Sequence, residues 1–142
     1  MTALPRLVDA LAQKAARIDR CVARAREERR LAADFTTDFT RQDAATLNLL
    51  RACELAIDMA NMVVAHEGWG LPESAREAFA LLQAQHAIAP ELALALRRMV
   101  GFRNIAVHQY DALDMTVVAA IIDRDIDAVT QLAAALLARY GS

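Results

Sequence analysis

The chain has 142 residues, a size that points to one domain over residues 1–142, with a core large enough to need no metal or disulfide staple. Hydrophobic residues make up 56% and aromatics only 5%, with 4 Gly and 3 Pro, which favours an Ala/Leu-rich helical protein over a sheet protein. The net charge of −2 excludes a generic polyanion binder.

Five helices account for the pattern along the chain. Leu4, Leu7, Val8, Leu11, Ala15, Ile18 and Val22 step by three and four, which predicts one amphipathic helix to about Arg30. The same helix gathers Lys14, Arg17, Arg20, Arg24, Arg26, Arg29 and Arg30 against Asp19, Glu27 and Glu28. Two readings of that charge stay open: a solvated face with local ion pairs, or a rim that guides phosphates. Asp34–Thr40 reads as a polar connection anchored by Phe35 and Phe39. Thr40 followed by Asp43 resembles a capping box, so a second helix is expected from there to about His66. Leu47, Leu50, Cys53, Leu55, Ile57, Met59, Met62 and Val63 make it apolar nearly all round, which suits a central helix or one that also faces a partner.

Gly68-Trp69-Gly70-Leu71-Pro72 breaks that helix, with Trp69 a lid or packing anchor. A short helix follows, with Pro72 near its first turn and Ala75, Ala78, Phe79 and Leu82 on one face. Pro90 opens a fourth helix carrying Leu92, Leu96, Met99 and Val100. Asp114 caps the last, whose stripe is Val118, Ile121, Ile122, Val129, Leu132 and Leu136. Short connections favour antiparallel neighbours, so the expected fold is an all-α up-and-down bundle of four to five helices.

Cys21 and Cys53 lack metal-ligand spacing and read as reduced core or interface residues of a cytosolic protein. His66, His86 and His108 lack paired spacing, so no metal is expected. Asp123, Asp125 and Asp127 imitate the start of a calcium loop, but Ala128 and Ala134 stand where its glycine and closing acid belong. A solvated helix face is the better reading of those acids. No P-loop, dinucleotide fingerprint or nucleophile elbow calls for a cofactor. No apolar run is long enough for a membrane span, and Arg6 and Asp9 interrupt any leader-like segment, so a cytoplasmic protein is expected.

The chemistry concentrates in Arg103-Asn104-Ile105-Ala106-Val107-His108-Gln109-Tyr110. Arg offers a permanent charge and a fork of donors that suits phosphate. His exchanges protons near neutral pH. Together they meet two needs of phosphodiester cleavage: managing a proton on the attacking or leaving oxygen, and stabilising charge on phosphorus. On a straight helix, Arg103 and His108 point about 140° apart, whereas Asn104 and His108 share a face. Either the helix ends or distorts before His108, or two subunits share the site. Gly101 just upstream would let another backbone approach. A symmetric homodimer would also supply two histidines, one as base and one as acid. Glu54 and Asp58, an i, i+4 acidic pair on the second helix, are either simply exposed or partners that orient Arg103 or His108.

The segments QDAATLNLLRACELAIDMAN, GLPESAREAF and LRRMVGFRNIAVHQY resemble, in order and spacing, the HepT-like branch of the HEPN ribonuclease toxins, over roughly residues 41–111. Arg, four residues, His, one residue, Tyr is that branch's signature. The resemblance implies a homodimeric, metal-independent endoribonuclease, the toxin of a type VII-like toxin–antitoxin pair. Arg103 would hold the scissile phosphate, His108 would act as general acid/base, Asn104 would orient either, and Tyr110 would line the pocket. It further implies that a minimal nucleotidyltransferase antitoxin transfers AMP from ATP to Tyr110. Two other classes fit the residues: a catalytically silent module binding RNA or nucleotide, and a structural partner of the nucleotidyltransferase.

Overall fold

The computed structural model describes residues 6–141. The expected core residue Leu4 lies outside them. Helix α1 spans Leu7–Leu31, α2 Phe39–Glu67, α3 Ala75–Ala84 and α4 Pro90–His108. A 3₁₀ turn, Tyr110–Ala112, leads to α5, Met115–Ala120, which continues through a π turn, Ile121–Asp125, into α6, Asp127–Tyr140. There is no strand among the described residues. The last three pieces form one interrupted rod, so the architecture is the expected all-α bundle of five helices.

Each boundary has a local cause. Asp38, not Thr40 with Asp43, caps α2: its side chain accepts from the Arg41 amide. Asp38 wins because it stands three residues before an orphan amide of the first turn. The end of α2 is a Schellman motif, with Gly68 in the left-handed region at φ 68°, its amide bonded to Ala65 O and the Trp69 amide to Val64 O. Pro72 does not enter the first turn of α3. Ser74 caps that helix by accepting from the Glu77 amide, while Glu77 reaches back to the Glu73 amide. Pro90 opens α4, and Asp114 caps α5 by accepting from the Thr116 amide, both as expected.

The longest seam joins α1 and α2, with α4 and α6 against α2 and α3 closing one end over α4. Leu11, Ile18, Leu49, Met59, Phe79, Leu82, Leu96, Ile122, Leu132 and Leu136 are fully enclosed between them. Phe35 is a core anchor as expected, but Phe39 is 73% exposed. The first residue of α2 points away from the bundle, and the connection is held instead by Gln42, whose buried amide donates to Phe35 O at 2.7 Å. Trp69 packs on the core edge under the Arg139 guanidinium.

Much of the basic charge on α1 is neutralised across helices. Lys14 pairs with Asp58, Arg26 with Asp127, and Arg29 with Asp123. Glu28 is buried at the α1–α2 seam, bridging Arg41 at 2.7 Å and Arg24 at 2.8 Å. Arg41, assisted by Arg24, holds its carboxyl below the ordinary carboxylate range despite the opposing effect of burial. Asp123 and Asp127 therefore tie the π turn and the start of α6 to α1 rather than forming only a solvated face. Among the described residues, no helix is long and apolar enough to cross a membrane.

Candidate active site

The motif occupies the last two turns of α4 and runs into the 3₁₀ turn after it. Helix α4 stays regular through His108, and the Gln109 amide closes it on Ile105 O at 2.7 Å. Of the two alternatives for this spacing, an end or distortion of the helix before His108 is absent. Within one chain Arg103 and His108 therefore face directions about 140° apart.

Arg103 is four-fifths buried and held from two sides. Its Nε lies 2.9 Å from Glu54 Oε1 on α2, and Nη1 donates to Asn104 Oδ1 at 2.9 Å. The Glu54 contact is an ion pair rather than an aligned hydrogen bond, since the buried Nε–H has no well-directed acceptor. That leaves the rest of the fork to meet a further anion. Asn104 thus leans on Arg103. Asp58 does not join this group: it pairs with Lys14 at 3.6 Å. One turn beyond Glu54, it has passed the reach of Arg103 and meets antiparallel α1 instead.

His108 is exposed at the helix end. Exposed Ile105 and Val107 flank it, 42% and 53% accessible, so the motif carries apolar surface beside its polar groups. Within the chain, a Cβ on Gly101 would lie 3.1 Å from the Arg76 guanidinium, which itself donates to Arg97 O.

Tyr110 swings back over α2. Its hydroxyl donates to Asp43 Oδ1 at 2.6 Å. Partial burial first, with the residue still 40% exposed, and the Asp43 carboxylate second, push the phenol up to about 12. Sequence reasoning missed this partner and gave Asp43 to a helix cap. Asp43, Leu47, Leu50 and Glu54 follow one another along one face of α2, so Tyr110 and Arg103 are both seated on the same stripe of that helix. Among the described residues no three His, Cys, Asp or Glu side chains gather where they could hold a metal ion. Cys21 and Cys53 are both free thiols.

A helical bundle that ends one helix in Arg-x4-His-x-Tyr, with the Arg braced from a neighbouring helix, defines a HEPN-type protein. The family model described as "Ribonuclease HepT-like" matches residues 12–136. The chain belongs to the HepT-like family. It is 38% identical over 119 residues to the mRNA nuclease HepT of Shewanella oneidensis, covering 84% of this chain and 90% of that one. It superposes with a TM-score of 0.87 on the tri-AMPylated Shewanella oneidensis HEPN toxin in complex with MNT antitoxin, at 36% identity over 92% of this chain and 98% of that one. A toxin–antitoxin structure with AMP-PNP gives the same TM-score at 35% identity over 92% of this chain and 98% of that one. The cytosolic protein YutE of Bacillus subtilis, of unknown function, shares the fold alone, with a TM-score of 0.70 at 15% identity over 89% of this chain and 93% of that one.

Proposed function

We propose that this protein is a metal-independent endoribonuclease toxin whose antitoxin is a minimal nucleotidyltransferase. The observation that carries the reading is the intact Arg103–His108–Tyr110 motif on a HepT-like bundle, with Arg103 braced by Glu54 and Asn104. The mRNA nuclease relative and the AMPylated toxin complexed with its antitoxin point the same way.

In this reading Arg103 binds the scissile phosphate with the donors Glu54 leaves free, and stabilises its developing charge. His108 moves the proton of the attacking 2′-hydroxyl or of the leaving oxygen. On a regular α4 the two side chains leave the helix about 140° apart, so within one chain they point away from a shared phosphate. A homodimer solves this by joining Arg103 of one subunit with His108 of the other across a two-fold axis, and exposed Ile105 and Val107 offer apolar area for that contact.

Silencing would form a bond from Tyr110 Oη to the α-phosphorus of ATP and expel pyrophosphate. The phenolic proton leaves toward Asp43, its nearest acceptor at 2.6 Å. An AMP group at this position brings a phosphodiester charge beside Arg103 and bulk beside His108.

Expression of the wild type and of His108→Ala in cells tests the reading. Wild type should arrest growth with fragmentation of RNA, and His108→Ala should do neither. Arrest by both proteins with RNA intact would remove the nuclease assignment.

A further inference from the structure

Not all the arginines of α1 are neutralised. Arg17, Arg20 and Arg24 lie within one arc of α1, and together with Cys21 they face Asn48 and Arg51 of α2 across an open groove of about 410 Å³. No carboxylate lines it. Arg24 is engaged by Glu27 and Glu28, but Arg17, Arg20 and Arg51 make no ion pair among the described residues. This is unusual within the molecule. The larger groove beside it, about 590 Å³, also holds three arginines but includes Glu27 and Asp123, and two of its three arginines are already paired. Arg17, Arg20 and Arg51, gathered without ion-pair partners, raise one another's free energy unless an anion joins them.

The groove also has a direction. On α2, Arg51 stands one turn before Glu54, which braces Arg103. Going the other way, the seam passes Asn48 and Arg24 before it closes at the Glu28–Arg41 pair. The groove therefore follows the α1–α2 seam, and Arg51 is its arginine nearest along α2 to the brace of Arg103. Arg17, Arg20 and Arg24 span about 10 Å of helix axis. That is longer than a single phosphate and too open to enclose a nucleotide, and it suits successive phosphates of an extended strand.

We propose that the α1–α2 groove is a binding track for the sugar–phosphate backbone of single-stranded RNA, holding nucleotides that flank the cleaved bond through Arg17, Arg20 and Arg51. The proposal rests on the ribonuclease reading for its biological purpose, but RNA binding tests it independently.

The experiment measures binding of a roughly 20-nucleotide 2′-O-methyl RNA, which lacks the attacking hydroxyl and stays whole, across a salt series. Wild type is compared with Arg17→Gln/Arg20→Gln/Arg51→Gln and with the triple Lys variant. These side chains are exposed, and circular dichroism checks that each variant is folded. The Gln variant should bind at least about tenfold more weakly, and its salt slope should flatten by about 2, at roughly 0.7 per lost phosphate contact. The Lys variant should keep most of the slope. Equal affinity and slope in wild type and the Gln variant would overturn the proposal. So would normal RNA binding with lost capture of the nucleotidyltransferase, which would make the groove a protein-docking face. In parallel, cleavage of unmodified RNA by wild type and His108→Ala reports on the ribonuclease reading alone. If neither cuts, that reading fails, while the binding comparison still decides the groove.

Discussion

Tyr110 donates its hydroxyl hydrogen to Asp43 at 2.6 Å, joining the turn after α4 to the start of α2 across 67 residues of chain. The same pair that fixes the tyrosine offers its proton an acceptor. Burial and Asp43 together push the phenol from its ordinary 10.0 up to about 12. Because the folded value lies above the unfolded one, the associated stability is intact below about pH 10 and lost as pH rises toward 12. Asp43→Asn should bring the Tyr110 titration down toward, though not fully to, its ordinary value, since burial remains. Ultraviolet titration against a Tyr110→Phe reference reads this. An unchanged curve would mean that burial alone sets the shift.

Modification should follow the same residue. Co-expressed with the proposed nucleotidyltransferase partner, wild type should gain one or more AMP-sized increments by intact mass, and Tyr110→Phe should gain none. An increment that persists in Tyr110→Phe places the acceptor elsewhere. No increment in either points to steric masking by the bound partner.

Glu54 and Asp58 should separate in function although they are four residues apart on one helix. Glu54→Gln should lower kcat/KM for RNA, because Arg103 loses its brace, while costing on the order of 1 kcal/mol of stability, since Glu54 is half exposed although Arg103 is four-fifths buried. Asp58→Asn should leave cleavage close to wild type. Comparable losses in both would argue that α2 as a whole, rather than the Glu54–Arg103 contact, supports the site.

Acid should loosen the α1–α2 seam through Glu28. Its folded carboxyl titrates below the ordinary 4.5, so its contribution is present above that value and disappears as pH falls through the folded one. Thermal melts of wild type should therefore fall more steeply between about pH 5 and 3 than those of Glu28→Gln. Near neutrality the variant should melt lower, because two arginines lose a shared partner. Parallel acid limbs would show that other carboxylates govern the loss.

The two thiols should differ sharply. Cys53 is enclosed, and burial pushes it up to about 12, whereas Cys21 is partly accessible beside Arg17 and Arg20. A thiol-specific reagent should modify one cysteine per native chain and both after unfolding. Rapid reaction of two thiols in the native protein would contradict the packing around Cys53.

The helices were legible because apolar residues at steps of three and four report a face directly, and Pro90 and Asp114 mark their own helix starts. Motif spacing also made Arg103, His108 and Tyr110 visible as a group. Contacts between distant segments were not. Nothing local distinguishes Asp43, which holds Tyr110, from a capping residue, or Asp58, which meets Lys14, from Glu54, which meets Arg103. Those assignments depend on how far α2 slides along α1 and α4, a registry set by the whole core. The π turn was equally hidden, because one wider turn leaves the apolar stripe from Val118 to Leu136 almost unbroken.

The most direct test is cleavage of single-stranded RNA by the purified protein in EDTA, comparing wild type with His108→Ala. Wild type should cut without added metal, and His108→Ala should be slower by roughly 10²–10⁴-fold, the contribution of one general acid/base, with its helical content unchanged. Activity abolished by EDTA and restored by magnesium, or equal cleavage by the two proteins, would contradict the account.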